Sequence, residues 1–167
     1  RDAGYFTANV REIAPGVQGS GKTDFNFNLP NGEKPFDGTH WNQRKKGQPF
    51  YAQINFTAPH KGPMFVAARK QAKLVDPKKV ELPPYHPDHP IVRDEYANYL
   101  DTINLLDTQV GAVLDSLKRD GELDNTIIFF FGDNGRCLLR GKQWLYDAGT
   151  HVPLIVRHPG VVAKGAV

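Results

Sequence analysis

An α/β fold with a mixed, mainly parallel sheet is the architecture this sequence predicts, and three segments predict it. Pro49–Phe56 (PFYAQINF) has the aromatic and β-branched content of a strand. Ile91–Arg119 carries apolar residues at helical spacing. Thr126–Phe131 is an apolar run closed by Gly132-Asp133-Asn134-Gly135. Strand, long helix and strand in that order form a β-α-β pattern, which favours parallel strands with helices on the sheet faces.

Along the chain, residues 1–10 read as the tail of a helix, a Gly turn and a short strand over Tyr5–Val10. Arg11–Gln48 is rich in Gly, Pro, Asn and Lys without a period, and is expected to be a long irregular loop region. Thr57–Pro63 reads as the loop at the C-terminal end of the 49–56 strand. Lys73–Pro90 contains Pro77, Pro83, Pro84, Pro87 and Pro90 and is expected to be an irregular connection. In the 91–119 helix, Tyr96, Tyr99 or Leu100, Ile103, Leu106, Val110, Val113 or Leu114, and Leu117 form the apolar stripe. Arg93, Asp94, Asp101, Asp115 and Lys118 fall largely off it. Gly121 is the expected stop. The apolar run Val152–Val156 reads as a further strand. The whole is expected to be one partial domain over 1–167, cut from a longer chain at both ends.

Composition narrows the function classes. The chain has 167 residues, 40% hydrophobic and 23% charged, which is ordinary for a globular domain with a real core. A net charge of +3, from 21 basic and 18 acidic side chains, is too balanced to indicate a nucleic-acid partner. The apolar runs are too short to span a bilayer. The single cysteine, Cys137, excludes an internal disulfide framework.

Several residues could carry chemistry. Asp133 and Asn134 stand where a strand ends, which is where open α/β sheets keep their ligands. They read either as a turn or as two oxygen donors of a divalent hard-cation site that needs further ligands from elsewhere. Lys142, between Gly141 and Gln143, is either solvated or a point charge for a tetrahedral anion. His60, after Pro59, either caps backbone groups or donates a proton to a leaving group. Two strands that each end in such a residue would open on the same edge of a parallel sheet. His86 and His89 have a zinc-type spacing, but the prolines around them favour a surface loop. His40 with Trp41 reads equally as substrate-facing or as a packed loop. Cys137 has no neighbouring base in sequence and is not read as a nucleophile.

With these residues in hand, the stretch Phe131–Pro159 closely resembles the type I sulfatase family of the alkaline-phosphatase-like superfamily. It contains GDNG, RGK, a Tyr-acid-x-Gly turn and VPLIVR-x-PG. The order INFTAPH, long helix, TIIFFFGDNG, GK, VPLIV is similar to the family over roughly residues 49–160. AGYFTAN near the start and GKTDFNF at Gly21–Phe27 look most like bacterial relatives of the heparan N-sulfatase branch.

The resemblance implies a hydrolase of sulfuric esters or sulfamates, acting on a sulfated small molecule or glycan. Asp133 and Asn134 would be calcium ligands, Lys142 would bind sulfate oxygens, and His60 would contact sulfate or protonate the leaving group. Gly149–Pro153 would be a supporting turn. A periplasmic, extracellular or lysosomal location is implied in the same way. Two departures stand out. Val10 is followed by Arg11-Glu12-Ile13-Ala14, not by the family's Gly-Lys-x-His, so Lys22 is the expected substitute cation. The Cys/Ser-x-Pro/Ala-x-Arg motif that yields the formylglycine nucleophile is absent, as are the family's paired Asp ligands. Both are expected upstream, which would leave this chain inactive by itself. The alternatives are a phosphodiesterase or phosphatase of the same superfamily, and a non-catalytic anion- or glycan-binding protein on this scaffold.

Overall fold

The computed structural model describes residues 2–23, 26–27, 29–71 and 74–167. Asp24 and Phe25 of the GKTDFNF stretch, and Lys73 at the start of the proline-rich connection, lie outside them. The chain divides into two compact units, Arg1–Thr57 with Gln109–Ser116 and Ala58–Thr108 with Leu117–Val167.

In the first unit, strand β1 (Phe6–Asn9) is followed by a small antiparallel hairpin, β2 (Glu12–Ala14) and β3 (Val17–Gln18). The hairpin turns at Gly16, whose φ of +77° is the left-handed conformation that glycine adopts without strain. It lies inside the 11–48 segment that the sequence suggested would be irregular. β4 (Phe50–Gln53) runs parallel to β1 in the register Phe6↔Phe50 to Asn9↔Gln53. Ala8 and Val10 are buried beneath this pair. Trp41, 1% exposed, stacks on Phe50 with ring centroids 6.1 Å apart. His40 is a cap, since its Nδ1 accepts from the Asn42 N–H at 3.1 Å. The His40-Trp41 pair is therefore a packed loop.

In the second unit, α1 (Pro63–Gln71) is a helix with no strong apolar period, opened by a proline at its first position. α2 (Pro90–Arg119), whose Gln109–Ser116 stretch is counted with the first unit, is the long helix that the spacing predicted. It ends at Gly121, φ +74°, where the Glu122 N–H donates back to the Leu117 carbonyl at 2.9 Å. Phe65 of α1, Tyr96 and Ala97 of α2, Val80 and Leu138 form a buried cluster, with Val75, Leu82, Val92, Tyr99 and Cys137 packed against it.

Asp101 does not follow the sequence reading, which placed it off the buried stripe. It is 3% exposed. Its Oδ1 accepts the Leu74 and Val75 N–H groups at 3.1 and 3.0 Å, and its Oδ2 lies 3.6 Å from Arg69 Nε. Polar duty explains the burial of a charge that periodicity alone would expose. The proline-rich connection is likewise tied down by α2: Arg93 forks onto Asp88 and donates to the Val80 carbonyl at 2.8 Å.

β5 (Ile128–Phe131) and β6 (Leu154–Arg157) pair antiparallel, from Ile128↔Arg157 to Phe131↔Leu154, with the short helix α3 (Asp147–Thr150) in the loop between them. β4 and β5 share no sheet among the described residues. The expected β-α-β unit of β4, α2 and β5 therefore does not form one sheet among the described residues, and the parallel pair is β1 with β4. β5 takes its partner from the strand that follows it, and an antiparallel return needs no crossover helix.

Candidate functional site

β5 ends at Phe131, and the Gly132 N–H extends its ladder to the Pro153 carbonyl at 3.3 Å. Asp133 and Asn134 come next. Asp133 is exposed and Asn134 half-buried. The Asn134 Nδ2 donates to the Gly135 carbonyl at 2.7 Å, so Oδ1 is the amide atom left for another partner.

The loop beyond is wound so tightly that its glycines are obligatory. A Cβ on Gly135 would sit 1.9 Å from the Ala148 carbonyl oxygen. One on Gly141 would sit 2.0 Å from the Arg136 oxygen, and one on Gly149 2.0 Å from the Trp144 oxygen. Hydrogen bonds close the same contacts: Gly135 N–H to Gly149 O at 2.9 Å and Lys142 N–H to Arg136 O at 2.8 Å. Arg140 (φ 62°) and Gln143 (φ 75°) flank Gly141-Lys142 in the left-handed region. Non-glycine residues there cost roughly 1–3 kcal/mol each, and such strain concentrates where a side chain must be aimed. Lys142 is half-buried at this point.

Around the loop, the guanidinium of Arg136 faces the Tyr85 and Tyr96 rings, and that of Arg140 faces Tyr85 and Tyr146. Burial pushes the Tyr96 phenol up to about 12 against the pull of Arg136. His86 and His89 have separate tasks. His89 Nδ1 accepts the Ile91 N–H at 3.3 Å at the start of α2, while the His86 ring lies edge-on to Tyr96. His86 titrates below its ordinary value because it is buried and because Arg136 and Arg140 disfavour a third positive charge. The two histidines do not form a zinc pair.

His60 is exposed in the turn that leads into α1 and not at a strand end, since β4 stops at Gln53. Lys61, next to His60, and Lys142 both act electrostatically on the Cys137 thiol. Burial pushes that thiol up; the charges of Lys61 and Lys142 pull it back, and Glu95 opposes them. Lys61 also pairs with Glu95 at 3.1 Å. Asp133, Asn134, Lys142 and the His60-Lys61 turn thus belong to one unit. Lys22 belongs to the other, in a strap where Asn9 Nδ2 donates to Gly21 O at 2.9 Å and Asn55 Nδ2 to Lys22 O at 2.6 Å. Among the described residues no group of three or more His, Cys, Asp or Glu could hold a metal ion.

With this geometry in view, comparison with known proteins is decisive. The sulfatase family model matches residues 26–167. The chain belongs to the sulfatase family. An ulvan-active sulfatase of Formosa agariphila is 32% identical over 95% of this chain and 31% of its own length. Human N-sulphoglucosamine sulphohydrolase is 37% identical over 50% of this chain and 17% of its own. A Bacteroides fragilis crystal structure, described as the candidate sulfatase yidJ, superposes with a TM-score of 0.53 at 24% identity, covering 68% of this chain and 27% of that one. That likeness supports the α/β fold of the sulfatases. The chain spans less than a third of the length of these relatives.

The sulfatase family implies a metal cofactor. The donors here suit a hard cation: one carboxylate, and one amide whose oxygen is left over after its nitrogen is bonded. Two such oxygens are too few to complete a hard-cation site by themselves. Sequence reasoning missed the contacts of Tyr85 with Arg136 and Arg140, which join distant segments and leave no local pattern.

Proposed function

We propose that the full-length protein is a hydrolase of sulfate esters or sulfamates on a glycan, and that calcium is its metal. The observation that carries this reading is the 132–150 loop. Its three obligatory glycines hold Asp133, Asn134 and Lys142 in one wound segment that lies within the matched family region.

Asp133 and Asn134 would hold the cation through Oδ atoms, and the bound cation would supply Lewis-acid polarisation of the sulfate. The Lys142 ammonium binds the sulfuryl oxygens and offsets charge that develops on them. His60 protonates the departing alcohol or amine. Lys22 is proposed as a second contact to the anion. The nucleophile is not a residue of this chain, which has no Cys/Ser-x-Pro/Ala-x-Arg motif, so the chain by itself is expected to be inactive. A location outside the cytoplasm fits a glycan substrate, and one relative is named an extracellular sulfatase. No helix among the described residues is long and apolar enough to cross a membrane.

The test is turnover of matched aryl sulfate and aryl phosphate by the full-length protein, stripped of metal and refilled with calcium or zinc. Sulfate hydrolysis restored by calcium is expected. Preference for phosphate with zinc would make it a phosphoryl-transfer relative. Anion binding without turnover of either ester would make it a binding protein.

A further inference from the structure

We propose that Tyr85 is a positioning residue for Lys142, setting the direction in which that lysine leaves its loop. The proposal rests on Lys142 being the anion-binding residue.

One residue of the proline-rich connection, Tyr85, grips a short arc of the site loop at two arginines. The Arg136 guanidinium lies 5.9 Å from the Tyr85 centroid and 5.8 Å from that of Tyr96, and its Nη2 donates to the Tyr85 hydroxyl. The Arg140 guanidinium lies 5.0 Å from the same Tyr85 ring and 5.1 Å from the Tyr146 ring. Arg136 and Arg140 are thereby held from one side by Tyr85. His86, next in the chain, lies edge-on to the Tyr96 ring, with centroids 5.0 Å apart.

That arc is what fixes Lys142. The Lys142 N–H is bonded to the Arg136 carbonyl at 2.8 Å, and the Gly141 N–H to the Leu138 carbonyl at 2.9 Å. Arg140 takes a left-handed φ of 62° immediately before Gly141. A non-glycine residue keeps that conformation only where its surroundings restrain it. The Arg140 side chain, laid between the Tyr85 and Tyr146 rings, is such a restraint. Without Tyr85, Arg136 loses its ring partner and its hydroxyl acceptor together, while its Nε is already buried with no hydrogen-bond partner. The arc then has reason to relax, and the lysine to lose its aim. Tyr85 would act through the backbone and not on the anion.

The test is a double-mutant cycle in the full-length, calcium-loaded protein, read as kcat/KM on an aryl sulfate, with Tyr85→Leu and Tyr85→Phe made in the native and Lys142→Ala backgrounds. In the native background Tyr85→Leu is expected to lose about tenfold, and Tyr85→Phe, which keeps the ring, about two- to threefold. In the Lys142→Ala background both losses should shrink to under about twofold, because the residue they act through is gone. Equal losses in the two backgrounds would overturn the proposal and leave the assignment of Lys142 standing. No loss for either Tyr85 variant would overturn it too. Unchanged turnover in Lys142→Ala alone would overturn both. Should Tyr85→Leu fail to fold, the Tyr85→Phe pair decides on the same criterion.

Discussion

Replacing Gly135 with alanine puts a methyl group into the backbone of the neighbouring turn. The new Cβ would meet the Ala148 oxygen at 1.9 Å and the Gly149 Cα at 2.6 Å. Ordinary contact begins near 3.4 Å, so the turn must retreat by about 1.5 Å. Neither atom is the end of a flexible side chain, so the backbone itself has to move. The movement breaks the 2.9 Å hydrogen bond from Gly135 N–H to Gly149 O. Overpacking costs about 1–3 kcal/mol and the hydrogen bond about 0.5–1.5 more, so a loss of roughly 2–4 kcal/mol is expected. Gly111, inside α2 with nothing within 4 Å of its Cβ position, is the control. Gly111→Ala should stabilise by about 0.5–1 kcal/mol through helix propensity alone. Urea denaturation of the full-length protein reads both values, with far-UV circular dichroism as the signal. A Gly135→Ala cost below about 0.5 kcal/mol would refute the reasoning, because the loop would then not be locked backbone to backbone.

Asp101→Ala removes the acceptor of two backbone donors and the partner of Arg69, whose side chain is 10% exposed. It should cost about 3–5 kcal/mol in urea denaturation, with Asp101→Asn intermediate. Acid should loosen the clasp around the site loop. His86 faces Tyr85, Tyr96, Arg136 and Arg140, and its pKa is lowered in the folded chain. Below its ordinary value of 6.5 the unfolded chain takes up a proton that the folded chain refuses, so this stabilisation is present above that pH and is lost as pH falls. The urea midpoint should drop more steeply between about pH 7.5 and 5.5 in the native protein than in His86→Gln; equal slopes would remove His86 from the explanation.

The parts legible in sequence are those with local causes. α2 was readable to within a residue, because its stripe, its opening proline and its closing glycine all lie in the chain where they act. β5 was readable because an apolar run stops at Gly132. β6 falls later than the apolar run suggested, at Leu154–Arg157, since Pro153 has no N–H for a ladder. α1 escaped because Pro63–Gln71 has no distinct stripe. Asp133, Asn134 and Lys142 could be singled out from residue type and spacing, and the glycines between them hold them in one loop. What spacing cannot display is contact across the chain. Tyr85 and Arg136 are 51 positions apart, and each alone reads as an ordinary loop residue. The edge-sharing argument for His60 failed for a related reason: strand pairing is a long-range choice, and β5 pairs with β6.

Sulfate recognition by this loop turns on Lys142, and its most direct test is kcat/KM of full-length Lys142→Ala on an aryl sulfate with calcium present. Removing a charge that meets the sulfuryl oxygens in the transition state should cost about 10²–10³-fold. The urea midpoint should hardly change, since it is the Lys142 backbone, and not its ammonium, that ties the loop. Turnover within about twofold of the native protein would contradict the claim that this loop is the sulfate site.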